Sequence, residues 1–227
     1  MAGKSFCTGA LIAPDLVLTA AHCMFDVDDG RPYRADEIEF LAGFRNGRAS
    51  AYRNVRTAIP HPDFSFTNDD RVMRVGSDLA LLRLDAPVTN VGLVPFSTAS
   101  SPQRGDEVGV VSYAHDRANS PSLQRICNVL AKQSGILVMT CDVDFGSSGA
   151  PVFMLHDGKA QIVSVISAKA EMGQRKVSLG TALTQPLTEL KQMMEKRDPG
   201  LSDVQPVARR IGDNVPVDGS GAKFLRP

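Results

Sequence analysis

The chain has no net charge. Its 25 Lys and Arg residues balance 25 Asp and Glu residues, and the sequence pI is about 6.9. No global basic field exists to gather nucleic acid or an anionic membrane surface. No apolar run approaches the roughly 18 residues needed to cross a bilayer; the longest candidates, such as 16–21, are strand-sized. Residues 1–4 lead straight into a strand pattern without the hydrophobic region of a signal peptide, so an export leader is expected outside this sequence. There is no Cys-x-x-Cys and no pair of histidines at ligand spacing, so no zinc or other metal site is expected. Internal repeats are absent too.

What the chain does have is a succession of short Val-, Ile- and Leu-rich runs broken by Gly, Pro, Asp and Asn. That is the pattern of an all-β barrel or sandwich. Strands are expected at 5–12, 16–19, 37–43, 51–60 and 79–84, then at 107–113, 123–131, 136–141, 151–155, 161–168 and 177–182. The Ala-Pro-Asp at 13–15 marks a turn, and 26–36 and 61–77 read as long loops. A proline-bearing stretch at 85–106 connects the halves. Leu187, Leu190 and Met193–Met194 fall at helical spacing behind Pro186, predicting a helix over 187–196. The expected units are 1–90, 91–196 and a disordered tail at 197–227 that lacks periodic apolar residues. With five strands in the first half and six in the second, the first barrel is one strand short. An open barrel exposes unpaired strand edges, so an upstream segment is expected to complete it.

Four cysteines fall in two local pairs. Of the three connectivities, the strand pattern favours Cys7–Cys23 with Cys127–Cys141, which implies an oxidising compartment; the alternative is four free thiols.

The most specific stretch is Cys7-Thr-Gly-Ala-Leu-Ile-Ala-Pro-Asp-Leu-Val-Leu-Thr-Ala-Ala-His22-Cys23. Two strands end in a small-residue turn that presents a histidine, and a cysteine beside it can reach back across the hairpin. A general base needs such fixity, because misplacement by about 1 Å can cost on the order of 100-fold in rate. The Thr-Ala-Ala-His-Cys string resembles the histidine motif of the chymotrypsin/trypsin family of serine peptidases. Gly146-Ser-Ser148-Gly-Ala-Pro151 resembles that family's nucleophile turn, closest to its bacterial, glutamyl-endopeptidase-like members, and Ser77-Asp78-Leu-Ala-Leu-Leu resembles its acid motif. The order His, Asp, Ser matches this family and differs from subtilisins and α/β-hydrolases.

The resemblance covers roughly 5–196 and implies two six-stranded antiparallel β-barrels, the first lacking its N-terminal strand, with a C-terminal helix. It implies His22, Asp78 and Ser148 as a catalytic triad, and the N–H groups of Gly146 and Ser148 as an oxyanion hole. Asp63, Asp69, Asp70 and Asp85 read as loop charges, and His61, His115 and His156 as non-catalytic. Counting back from Ser148, Asp142 falls where trypsin-like members select Arg or Lys with a buried carboxylate; the alternative is that Asp142 and Asp144 are loop carboxylates. Ser164–Ser167 and the stretch near Gly180 would line that pocket. The pattern departs from the family at Ser147, which stands where many animal members have an aspartate. Cys127–Cys141 is not the family's usual pairing beside the nucleophile. The expected function is a secreted or periplasmic serine endopeptidase, without cofactor, acting on polypeptides; the alternative is an inactive binding protein on the same scaffold. Neither reading calls for nucleic acid or membrane insertion.

If the cysteines are paired, thiol alkylation adds no mass to the intact protein and four adducts after reduction. Labelling without reductant would refute the pairing.

Overall fold

The computed structural model describes residues 6–68, 70–90, 92–114, 118–144 and 146–200, with the backbone of 209–210 and 221–225. The first half contributes β1 (Phe6–Ala13), β2 (Leu16–Thr19), β3 (Glu39–Ala42), β4 (Ala51–Pro60), a short helix α1 (Arg71–Gly76) and β5 (Ala80–Leu84). The second contributes β6 (Glu107–Ser112), β7 (Ser122–Gln133), β8 (Ile136–Met139), β9 (Pro151–His156), β10 (Lys159–Met172) and β11 (Arg175–Ala182), followed by helix α2 (Thr184–Arg197). Two further strands lie in the tail, β12 (Arg209–Arg210) and β13 (Gly221–Leu225).

Three expectations are corrected. The loop at 61–77 holds α1, which begins where the Asp70 carboxylate accepts from the N–H groups of Val72 and Met73. The first barrel does not lack a strand: it is closed, in the order β1-β13-β3-β4-β5-β2. Its sixth strand comes from the C-terminal tail and not from upstream, so 197–227 is not simply a loose end. The rest of the tail, 201–208, 211–220 and 226–227, lies outside the described residues, as do Asp69 and His115.

The second sheet runs β11-β8-β7-β6-β9-β10-β12 and returns on itself through β10–β11 pairing. One long strand makes this possible. The first part of β10 pairs with β9 and its remainder, from Ser164 onward, with β11. Bulges on both sides bend the strand between its two partners.

Every residue of β2 and β5 is buried, which accounts for their largely apolar sequences. One β5 residue breaks the apolar rule. Arg83 is wholly buried, with Nη1 2.9 Å from Asp15 Oδ2 and Nη2 2.8 Å from Glu195 Oε1. It joins the β1–β2 turn to α2. The end of α2 is fastened to the same barrel, where Asp198 accepts from Arg56 and Thr57. Burial alone would raise the Asp198 pKa, but the hydrogen bonds from Arg56 and Thr57 and the nearby cations outweigh it and hold the carboxyl below its ordinary value.

Arg83→Met leaves the buried Asp15 carboxylate without its cation and is expected to cost about 3–5 kcal/mol in a urea unfolding titration. Because the folded Asp198 pKa is depressed, its contribution is complete above about pH 4 and is lost as pH falls through the folded value. Asp198→Asn should flatten that part of the stability–pH curve.

Candidate active site

β2 ends at Thr19, and the chain turns through Ala20 into a short 3₁₀ turn, Ala21–Met24, that carries His22. Ala20 and Ala21 are both fully buried; a larger side chain at either would push the turn off the barrel. Cys7 of β1 is disulfide-bonded to Cys23, with a Cα–Cα separation of 6.2 Å. That bond fixes the residue next to His22 to the neighbouring strand. Cys127 and Cys141 form the second disulfide, between β7 and the residues after β8.

Asp78 follows α1 directly. Its carbonyl accepts from Thr181 Oγ1 of β11 at 3.1 Å, so the second half of the molecule holds the backbone of an acid contributed by the first. The Asp78 side chain is 2% exposed and that of His22 is 24% exposed. Asp78 Oδ1 accepts from the His22 backbone N–H at 2.8 Å, and Oδ2 lies 2.7 Å from His22 Nδ1. Ser167 Oγ donates to Oδ2 at 2.5 Å. Three donors therefore meet on this buried carboxylate. With Nδ1 donating to it, Nε2 is the imidazole nitrogen left to accept a proton.

The serine-bearing turn is pinned to β1 through Thr8. The Thr8 N–H donates to the Ser148 carbonyl at 2.8 Å, and Thr8 Oγ1 donates to the Gly146 carbonyl at 2.8 Å. Two glycines are dictated by this packing. Gly146 has φ +88° and a Cβ there would overlap the Tyr113 carbonyl and the Phe6 ring; Gly149 has φ +77° and a Cβ would overlap Thr19 Oγ1 and the Thr8 carbonyl. That same Cβ would stand 3.1 Å from Ala20 N, so the serine turn lies against the strand end that leads into His22.

The two adjacent serines differ in burial. Ser147 is 1% exposed, with its hydroxyl donating to Ser112 Oγ at 3.1 Å. Ser148 is half-buried and its hydroxyl bonds to no described residue. No hydrogen bond among the described residues joins Ser148 Oγ to the His22 ring, whose Nε2 lies 3.9 Å from Cys23 Sγ. Among the described residues, neither the Gly146 nor the Ser148 N–H donates to a protein acceptor.

The expected specificity residues are arranged differently. Asp142 is exposed, and its N–H donates to Gln124 Oε1 at 2.8 Å; this is the environment of a loop carboxylate and not of one buried at a pocket base. Ser164 is fully buried, donating to the Thr181 carbonyl at 2.8 Å. Gly180 packs on Ser164 Oγ and the Met139 side chain. Ser164 and Gly180 meet, and no described contact brings Asp142 to them. His61 is buried, 3.2 Å from Glu189 of α2, and His156 is exposed; neither touches the His22–Asp78 pair.

Sequence reasoning missed Thr8, Ser167 and Thr181 as supports of the site. Ser167 could have been suspected only from its place in β10; nothing local marks a serine that will meet an aspartate 89 positions away. Among the described residues, Cys7, His22 and Cys23 group as metal ligands would. Their sulfurs are joined as a disulfide, which leaves no thiolate to bind an ion.

Two β-barrels meeting at a buried Asp–His pair and a glycine-flanked serine make up a chymotrypsin-like fold. The pattern of the trypsin-like peptidase domain matches residues 7–161, and the chain belongs to that family. Glutamyl endopeptidase of Bacillus licheniformis is 28% identical over 148 residues, 65% of this chain and 45% of that protein. Brachyurin of Leptuca pugilator is 31% identical over 145 residues, 62% of this chain and 58% of that protein. The chain therefore spans about half the length of these relatives. A solved Glu endopeptidase, in complex with MPD, superposes with a TM-score of 0.69 at 21% identity, covering 85% of this chain and 86% of that one. A thermostable serine protease from an extremophile gives 0.66 at 17%, covering 84% and 90%. At these identities the structural matches speak to the fold.

Gly149→Ala forces both a left-handed backbone and an overlap, whereas Gly105, at φ +94°, has no heavy atom within 4 Å of a Cβ. Gly105→Ala should cost about 1–3 kcal/mol from backbone strain, and Gly149→Ala about 1–3 kcal/mol more from crowding. Equal losses in denaturant titration would refute the packing described.

Proposed function

We propose that the protein is a serine endopeptidase with His22, Asp78 and Ser148 as its triad. The observation that carries this reading is the buried Asp78 bonded to His22 Nδ1, with the Ser148 turn packed against the strand end that leads into His22. In this mechanism Ser148 Oγ attacks a peptide carbonyl while His22 Nε2 takes its proton. Asp78 holds the ring's tautomer and stabilises the imidazolium, and the Gly146 and Ser148 N–H groups receive the developing oxyanion. His22 then returns the proton to the leaving amine. Water, activated by the same imidazole, releases the acyl group from Ser148.

Ser167 and Thr181 act as positioning residues. They tie Asp78 to the second barrel, so the acid and the serine turn share one frame of reference. The two disulfides support an oxidising, extracellular or periplasmic setting. Polypeptide is the substrate, and the mechanism calls for no cofactor.

Preference for Arg or Lys before the cut would rest on Asp142. An exposed carboxylate gives about 0–1 kcal/mol, so any such preference is shallow, within roughly fivefold by the usual conversion.

A fluorophosphonate probe should label the protein, Ser148→Ala should abolish labelling, and Ser147→Ala should retain it. Asp78→Asn should slow peptide hydrolysis on the order of 10⁴-fold. A folded, disulfide-bonded chain that binds peptides yet resists the probe would favour the inactive binding protein instead. Lys-over-Gln selectivity that survives Asp142→Asn would remove Asp142 from substrate choice.

A further inference from the structure

The strand that closes the first barrel lies directly beside the residues that organise the site. β13 pairs antiparallel with β1 in the register Cys7↔Phe224, Thr8↔Lys223 and Gly9↔Ala222. On its other side it pairs with β3, Phe224↔Phe40, Lys223↔Leu41 and Ala222↔Ala42. Cys7 and Thr8 are the two β1 residues through which both halves of the site are held. Cys7 is bonded to Cys23, next to His22, and Thr8 holds the carbonyls of Ser148 and Gly146. Successive residues of a strand send their polar groups to opposite sides. Thr8 gives its N–H to the serine turn, while its neighbours Cys7 and Gly9 face the strand opposite.

The tail is steered toward this position. Asp198 is bound by Arg56 and Thr57, its carbonyl accepts from Arg83 Nη2 at 3.3 Å, and Gly200 packs on the Arg83 guanidinium so closely that no side chain would fit. The chain thus leaves α2 along the surface of the first barrel. Residues 201–220, at about 3.3 Å each when extended, have ample length to return to the gap between β1 and β3.

We infer that the C-terminal strand Gly221–Leu225 is a positioning element for catalysis, a strand supplied in cis whose docking sets the geometry of His22 and Ser148 together. This rests on the peptidase reading above. Without β13, both β1 and β3 become edge strands with unpaired backbone groups, and the freed stretch of β1 is the one that carries Cys7 and Thr8. Loss of a five-residue strand then disturbs base and nucleophile at once.

The test uses the full chain, its Ala222→Pro variant, and a chain ending at Gly200 with or without a synthetic peptide of residues 218–227. Proline at 222 removes a ladder donor from the middle of a central strand. Two readouts are followed: hydrogen exchange of β1 and β3 amides, with β5 as internal reference, and the rate of fluorophosphonate labelling. In the full chain, β1 amides should exchange as slowly as those of β5. Ala222→Pro should speed β1 and β3 exchange at least about tenfold while β5 stays protected, and slow labelling about 100-fold. The peptide should restore both readouts in the shortened chain. Unchanged β1 exchange in Ala222→Pro, or full-rate labelling of the shortened chain without peptide, overturns the proposal. If the shortened chain does not fold, Ala222→Pro, which keeps the whole chain, decides. If the full chain resists labelling, the peptidase reading fails, and the exchange measurements still decide whether β13 organises β1.

Discussion

Thr8 is the joint on which the site turns. A single buried residue of β1 uses its N–H on Ser148, its hydroxyl on Gly146 and its carbonyl on Thr19 Oγ1, while its hydroxyl also receives the Tyr113 N–H. Thr8 and Thr19 belong to the first barrel; Tyr113, Gly146 and Ser148 belong to the second half. A buried hydrogen bond is worth little in net stability but is costly to leave unmade, so this junction tolerates few arrangements. It fixes where the serine turn can sit relative to the turn carrying His22.

The acid is held by the same logic, applied in reverse. Asp78 comes from the first half, yet its carboxylate receives Ser167 and its carbonyl receives Thr181, both from the second. Each half thereby grips the functional group supplied by the other. Relative motion of the barrels would break several buried contacts together. A further tie runs near the serine turn, where Lys169 of β10 pairs with Asp144 and Arg71 of α1 donates to the Lys169 carbonyl.

Around this joint the scaffold accepts one costly feature, a fully buried arginine. Arg83 is retained in an otherwise apolar strand, where Asp15 and Glu195 neutralise it. A buried ion pair seldom adds net stability over an apolar filling, but breaking one is strongly unfavourable. Its effect here is to fix which surface α2 lies against, and so where the chain departs toward β13. Orientation of the C-terminal segment is the return on that burial.

Much of this was legible in the linear chain. The alternating and continuous apolar runs marked the strands through β11, because side-chain burial follows the period of the backbone. The Ala-Ala-His-Cys, Ser-Asp-Leu-Ala and Gly-Ser-Ser-Gly strings marked His22, Asp78 and Ser148 as candidates, because each stands among small or turn-forming neighbours within a few residues. The cysteines paired as their local spacing suggested. What the linear chain did not disclose depended on partners far away in sequence. Gly221–Leu225 carries too weak an apolar pattern to read as a strand alone, and becomes one only because β1 and β3 offer it two open edges. Ser167, Thr8 and Arg83 acquire their roles from residues tens of positions away, and Asp142 is left in solvent although a count from Ser148 placed it inside a pocket. Local periodicity and turn chemistry are properties of neighbouring residues and can be read in order; strand closure, buried polar pairing and exposure are properties of the packed whole, decided only when the chain has folded.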